Sequence, residues 1–224
     1  MKLNFLNITL KNAKMGLATL ALAFFALSAS AQQKEQEHSN PNVRLGQKAL
    51  LDGDFKSAAT HLEKALPKEG SDPNVLYMLG YSQFHNGDFK KASDTFGKVV
   101  ALDAKNGTAY YYKAKASNNL AVQTESKLSS TSREQLLKTA IDDFSKAIAI
   151  NASDAKLYQN RAIAYRDLGI LVGTSGAANY NKAAATDAYN KAISDYQKLL
   201  SFDSSRKDIQ REVKKATVYR DNLK

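Results

Sequence analysis

Imidazole side chains are the first candidates for metal binding or acid–base chemistry, and this chain has three, at His38, His61 and His85. No two of them stand at the short helical spacing that brings a pair of metal ligands together. The chain has no cysteine, which excludes thiolate ligands, disulfides and thiol nucleophiles. The sequence therefore predicts no metal, no cofactor and no catalytic residue.

Carboxylates and glycines also form no catalytic motif. Asp142 and Asp143 are adjacent, so on a helix they point about 100° apart and do not face each other, and we expect both to be solvated. Gly169, Gly173 and Gly176 invite comparison with a phosphate-binding loop, but neither Lys-Ser nor Lys-Thr follows them and no strand precedes them. We interpret this glycine segment as a hinge-like loop and expect the chain not to be an enzyme.

The elements that would position any site are helices. Apolar residues recur at helical spacing on both sides of Gly87, with Leu76, Leu79, Gly80 and Phe84 before it and Phe89, Ala92, Phe96, Val99, Val100 and Leu102 after it. Gly87 supplies a tight turn, because a residue without Cβ enters the left-handed conformation at little cost. The pattern predicts two helices packed closely at the small residues Gly80 and Ala92.

Copies of this hairpin pattern occur elsewhere in the chain. The triplet at residues 53–55 repeats the triplet at residues 87–89, Ala58 precedes Ala92 by the same interval, and two looser copies follow. This spacing resembles the tetratricopeptide repeat, a helix-turn-helix unit of about 34 residues with small residues at its eighth and twentieth positions. The resemblance implies an all-α fold, a right-handed solenoid of stacked helical hairpins.

The resemblance also divides the chain. We expect a solenoid domain at residues 41–224, with repeats near 39–72, 73–106, 107–154 and 155–206 and a capping helix at 207–224. Insertions in the third and fourth repeats are expected to elongate both hairpins, although loops remain an alternative. The apolar residues 170–172 either pack against the neighbouring extension or form an exposed docking tip.

In the family, the first helices of the repeats line a concave groove that binds segments of other proteins. The fifth, ninth and twelfth positions of these helices give the expected partner-binding groove: Tyr77, Tyr81, Phe84, Tyr111, Lys115, Asn118, Gln159 and Arg166. Tyrosine and arginine suit recognition because each combines a large contact area with a polar end. The family's carboxylate clamp has lysine and asparagine where this chain has Val43 and Gln47, so binding of a chaperone tail is not implied.

Residues 1–31 have the features of a secretory signal peptide. Lysines precede an apolar run at residues 15–27, and the small residues Ala29 and Ala31 follow it. The run is shorter than the about 20 apolar residues of a membrane-spanning helix. We predict cleavage after Ala31, then a flexible leader at residues 32–40, and export to the periplasm or the outside without a lipid-carrying cysteine.

The resemblance implies a non-enzymatic adaptor or scaffold of the cell envelope that binds a protein or peptide ligand. The net charge of +10 admits an alternative, a binder of anionic envelope polymer, but acids interrupt the basic residues as on a solvated helical surface. A second alternative is a structural envelope protein that self-associates as a homo-oligomer. We expect no nucleic-acid partner.

Overall fold

The computed structural model describes residues 38–123 and 127–224, so the predicted signal peptide and most of the predicted leader lie outside the described residues. The regular secondary structure of the described residues is helical: α1 Pro41–Leu51, α2 Phe55–Glu69, α3 Pro73–His85, α4 Phe89–Leu102, α5 Gly107–Val122, α6 Ser130–Ile150, α7 Ala155–Gly173, α8 Lys182–Phe202 and α9 Lys207–Asp221. Among these helices, none combines the length and the apolar character that crossing a membrane requires.

Short polar residues precede eight of the nine described helices, and glycines lie in the early hairpin turns. The Asp72 carboxylate accepts hydrogen bonds from the backbone N–H groups of Asn74 and Val75, which would otherwise have no partner in the first turn of α3. Gly53 and Gly87 have positive φ angles of 74° and 87° in the turns after α1 and α3. The predicted role of Gly87 is therefore confirmed, and Gly53 repeats it.

The helices pack in chain order as successive antiparallel neighbours, which makes the fold an all-α solenoid. Each helix contacts the helix before it and the helix after it, and the first helices α1, α3, α5 and α7 also contact one another in sequence. These first helices therefore form a common face of the molecule. Any site on this face combines side chains from consecutive hairpins.

Small residues occupy the interface within each hairpin. They are Gly46, Gly80, Ala114 and Ala162 on the first helices and Ala58, Ala92, Ala140 and Ala192 on the second helices. All six alanines are fully buried. A Cβ atom on Gly80 would lie 3.0 Å from the ring of Phe96, so a larger side chain would push the two helices apart. This confirms the predicted close approach at Gly80 and Ala92.

A large buried side chain follows each alanine of the second helices one turn later. These side chains are Leu62, Phe96, Phe144 and Tyr196, and each is almost completely inaccessible to solvent. Because one large residue meets one small residue in every hairpin, the core is dense and continues from repeat to repeat.

The insertions lengthen helices, as expected. Helices α6 and α8 each have 21 residues, compared with 14 in α4. The predicted loop at the glycine segment is partly wrong, because α7 continues through Gly169 to Gly173. The Tyr189 ring packs against Gly169, 2.9 Å from where a Cβ would be, so this helical position has no room for a side chain. Val172 of the apolar stretch is buried in the core, while Ile170 is exposed.

Replacing Gly46 by alanine is expected to destabilise the fold by roughly 1–3 kcal/mol through overpacking. The new Cβ would lie 2.6 Å from Cγ of the buried Leu62. The matched control is Gly97→Ala in α4, where the nearest atom, Cε of Lys113, lies at an ordinary 3.7 Å. The control should gain roughly 0.5–1 kcal/mol from helix propensity. Urea denaturation measures both, and equal stabilities would contradict the close-approach constraint.

Candidate functional site

Half-buried aromatic rings cover the common face where α3 and α5 lie side by side. We call this patch the aromatic surface and define it by Phe55, Tyr77, Tyr81, His85, Tyr111 and Tyr112. Phe55 is the first residue of α2, whereas the other members lie on the two first helices. The helical spacing of residues 77, 81 and 85 places three rings on one side of α3.

The rings of the aromatic surface hold one another in fixed orientations. The Tyr81 ring lies edge-on to Tyr112 at a centroid distance of 5.4 Å, and the Phe55 ring stacks on His85 at 4.8 Å. Tyr77 also meets Tyr112 edge-on, at 6.2 Å. Such edge and offset arrangements are the favoured ones between aromatic rings. The surface is therefore pre-organised, and a ligand would lose little entropy in ordering it.

Burial also sets the charge state of the hydroxyl groups. Loss of water raises the pKa of Tyr77, Tyr81, Tyr111 and Tyr112 above the ordinary tyrosine value. The hydroxyl groups therefore remain neutral at physiological pH. A neutral phenol can donate and accept hydrogen bonds while its ring provides apolar contact. The aromatic surface can accordingly bind a mixed polar and apolar ligand such as a peptide.

Lys115 adds a positive charge beside these rings. Its ammonium nitrogen lies 5.3 Å from the ring centroid of Phe84 and 5.4 Å from that of Tyr111. Both distances are in the range of cation–π attraction. Burial lowers the pKa of Lys115, because the ammonium group has lost part of its hydration. Phe84 itself is buried beneath this cation and contributes its ring face to it.

The remaining predicted groove residues lie nearer the C-terminal end. Asn118 is buried, and its amide nitrogen donates to Asp167, so it contributes to packing between α5 and α7. Arg166 bonds to its neighbour Asp167 and to Glu212 of α9, and its guanidinium is therefore engaged within the fold. Gln159 is half-buried on α7. The structure thus brings together Tyr77, Tyr81, Phe84, Tyr111 and Lys115.

The expectation that Asp142 and Asp143 are both solvated is wrong for Asp143. Asp142 is exposed and pairs with Lys146, but Asp143 is buried and accepts a 2.7 Å hydrogen bond from Lys113. Burial raises the pKa of Asp143, although the hydrogen bond and charge of Lys113 oppose this effect. The sequence did not indicate the pair because Lys113 and Asp143 come from different helices.

A cluster of possible metal ligands joins His38, Glu69 and Asp72 in the described part of the chain. Its hydrogen bonds do not suit a metal. Nδ1 of His38 accepts from the backbone N–H of Asn40, which leaves the imidazole proton on Nε2, the atom nearest Glu69. Asp72 caps α3 with one oxygen. These residues form a hydrogen-bond network that connects the N-termini of α1 and α3.

Sequence reasoning missed three members of the aromatic surface, namely Phe55, His85 and Tyr112. The family pattern assigns groove residues to the fifth, ninth and twelfth positions of each first helix. Tyr112 follows the fifth position of its repeat by one residue, and His85 follows the twelfth position of its repeat by one residue. The run of three tyrosines at residues 110–112 was the available signal for Tyr112. The match of residues 53–55 to residues 87–89 places Phe55 at the start of a second helix, but its contact with His85 crosses from α2 to α3 and has no signal in the sequence.

Comparison with known proteins places this geometry in context. Residues 49–117 match the family model described as tetratricopeptide repeat. The solved structure of a MamA protein has 23% sequence identity and a TM-score of 0.50, covering 80% of this chain and 90% of its own. MamA from Desulfovibrio magneticus RS-1, from residue 41 to its end, has 20% identity and a TM-score of 0.50, covering 82% of this chain and 97% of its own.

TTC0263, a thermophilic TPR protein of Thermus thermophilus, has 22% identity and a TM-score of 0.47, covering 79% of this chain and 97% of its own. No curated protein matches the sequence. At identities this low, the two MamA structures support the solenoid fold alone.

The aromatic surface predicts a specific pH dependence of stability through His85. Burial, with a smaller contribution from the Lys115 charge, lowers the pKa of His85 below its ordinary value of about 6.5. The unfolded chain then binds the proton more readily, so stability is full above about pH 6.5 and falls as the pH drops toward the lower folded value. His85→Phe keeps a stacking ring but cannot titrate.

Melting temperatures at about pH 7.5 and about pH 5 measure this effect. The wild-type protein should lose more stability between the two conditions than His85→Phe, while both proteins keep His38 and His61. Equal losses would show that the imidazole of His85 stays accessible to protons in the fold.

Proposed function

The chain is a tetratricopeptide repeat protein, and on this basis we propose that it is a non-enzymatic adaptor or scaffold that binds a segment of a partner protein on its aromatic surface. Solenoids of stacked helix pairs present extended surfaces built from several repeats, and such surfaces suit elongated ligands. The proposal concerns the face formed by the first helices, because consecutive repeats contribute side chains to it.

The observation that carries the proposal is the exposure of tyrosine rings that a purely structural core would enclose. Tyr77, Tyr81, Tyr111 and Tyr112 are half-buried, whereas the rings of Phe96 and Phe144 behind them are completely covered. Aromatic residues with a polar end contribute a disproportionate share of binding energy at protein interfaces. A peptide that covers these rings would remove further apolar area from water without a rearrangement of the fold.

The proposal assigns no catalytic step to the chain. In the described residues, the carboxylates of Asp143 and Asp195 are buried and already paired with Lys113 and Arg161. Groups that are held in such pairs stabilise the packing between helices and have no free position for a substrate. The surface therefore supports recognition better than acid–base chemistry.

The cell envelope is the proposed place of action, and the support for it is the signal-peptide pattern of residues 1–31. N-terminal sequencing of the protein purified from a bacterial envelope fraction tests this part. A mature chain beginning at Gln32 supports export, and a chain that retains residues 1–31 in the cytoplasm would contradict it.

Self-association and binding of anionic polymer are the competing functions. Light scattering after size-exclusion chromatography detects a stable oligomer, and an oligomer that buries the aromatic surface would contradict the adaptor. Binding to a polymer would weaken steeply as salt is added, because exposed charges are screened. Partner binding that persists at high salt would exclude the polymer.

Replacing Tyr81 and Tyr111 together by alanine is expected to weaken partner binding at least tenfold, or roughly 1.4 kcal/mol. The two substitutions remove large contact areas from neighbouring helices of the aromatic surface. Affinity capture from the native envelope, quantified against the wild-type protein, measures the loss. Circular dichroism checks that the variant remains helical.

The matched control replaces Tyr180 and Tyr219 by alanine, because both are exposed and lie outside the aromatic surface. It should retain the partner. If the folded Tyr81 and Tyr111 variant retains its partner as fully as this control, the aromatic surface is not the binding site, and the elongated hairpins of α5 to α8 become the next place to test.

A further inference from the structure

Three half-buried cations in the second half of the chain are paired with carboxylates. Short ion pairs join Lys113 to Asp143 at 2.7 Å and Arg161 to Asp195 at 2.8 Å across neighbouring helices, and Arg166 to its neighbour Asp167 at 2.9 Å within one helix. These pairs compensate for the water that each cation loses, because an opposite charge within hydrogen-bond distance restores the lost electrostatic stabilisation. Carboxylates thus compensate for the burial of these three cations.

Lys115 differs from these three cations. Within the described residues its ammonium group has two aromatic faces as neighbours, Phe84 and Tyr111, and no carboxylate. Desolvation lowers its pKa, and no nearby anion opposes the change. Cation–π contact compensates for part of the lost hydration, but an aromatic face accepts no conventional hydrogen bond. The donors of the ammonium group therefore remain available on the binding face.

The surroundings of Lys115 are otherwise neutral. The charge of Lys115 acts on His85, the rings of Tyr81 and Tyr112 contact His85, and burial keeps all three groups uncharged near neutral pH. Nε2 of His85 is buried and has no hydrogen-bond partner among residues 38–123 and 127–224. Among the described residues, the acid that acts on Tyr111 is Asp154, which adds to the effect of burial in raising the pKa of Tyr111, and its carboxylate already caps α7. A ligand anion would be the first negative charge to reach Lys115.

We propose that Lys115 anchors a carboxylate of the bound segment, so that the ligand of the aromatic surface is an acidic peptide with an aspartate or glutamate next to an aromatic or aliphatic side chain. This inference rests on the proposed function and names the chemistry of the partner. The ammonium binds the carboxylate, and the surrounding tyrosine rings cover the adjacent apolar side chain.

A carboxylate fits this position better than a phosphate does. A single ammonium group balances one negative charge, whereas a phosphate monoester carries close to two at neutral pH. The faces of Phe84 and Tyr111 are the negative regions of their rings and would repel the excess charge. Arginine forks, which match phosphate geometry, are absent from the described part of the aromatic surface.

Selection from a random 12-residue peptide library on the purified protein, expressed as the full chain, tests the proposal. The wild-type protein is expected to enrich sequences in which an acidic residue adjoins an aromatic or aliphatic one. Lys115→Met should lose the acidic preference and retain the apolar one. The matched control is Lys98→Met, which removes the same charge from an exposed position on α4 and should select acidic peptides as the wild type does.

A selected peptide then gives a quantitative cycle by fluorescence anisotropy. Changing its acidic residue to the corresponding amide is expected to weaken binding about tenfold to the wild type and to Lys98→Met, and to leave binding to Lys115→Met nearly unchanged. Circular dichroism confirms that Lys115→Met is folded. A phosphoserine version of the peptide should bind more weakly than the glutamate version.

The outcomes separate the two proposals. Peptides without acidic preference, an equal amide effect in the wild type and Lys115→Met, or tighter binding of the phosphoserine peptide would each overturn the role of Lys115 while the binding function stands. Selected peptides that bind the Tyr81 and Tyr111 double variant as tightly as the wild type, or a failure to select any peptide, would overturn the proposed function and this inference with it.

Discussion

The close approach of two helices at small residues is the constraint on which the rest of the structure depends. Each hairpin has a glycine or alanine on its first helix and an alanine on its second, and one turn after this alanine comes a side chain such as Phe96 or Phe144 that fills the space between the helices. Neither helix could bury its apolar face alone. The spacing of the hairpins then fixes where the first helices meet, and this meeting creates the aromatic surface.

A second position repeats with changing chemistry along the solenoid. Three residues after the buried alanine, the second helices carry Thr95, Asp143 and Asp195, and all three are buried. Thr95 donates to Gln83, whereas the two aspartates take Lys113 and Arg161 as partners. The equivalent position thus makes a neutral hydrogen bond in the second hairpin and an ion pair in the third and fourth hairpins. Arg161 also donates to Ser145 of the preceding hairpin, which ties the two elongated hairpins together.

The sequence predicted the parts of the fold that depend on short periods and missed those that depend on contacts between helices. Gly80, Gly87 and Ala92 could be recognised because their spacing alone implies a tight hairpin. The continuation of α7 through Gly169 could not be predicted, because a glycine in a sequence usually indicates the end of a helix. The packing of the Tyr189 ring against Gly169 becomes apparent only in the structure. The partnership of Lys113 with Asp143 and the position of Phe55 against His85 likewise join distant residues.

Leu45 is exposed on α1, whereas Leu79, at the same position of the next repeat, is buried against the hairpin before it. In a linear array, a terminal unit with one neighbour opens more easily than an interior unit with two. Within residues 38–123, the hairpin of α1 and α2 has one neighbouring hairpin and is therefore expected to open more easily than the next one, and it supplies Phe55 to the aromatic surface. Local opening of this hairpin would remove Phe55 from the aromatic surface. A ligand that contacts Phe55 therefore stabilises the folded hairpin of α1 and α2, and by thermodynamic linkage a more stable hairpin binds that ligand more tightly.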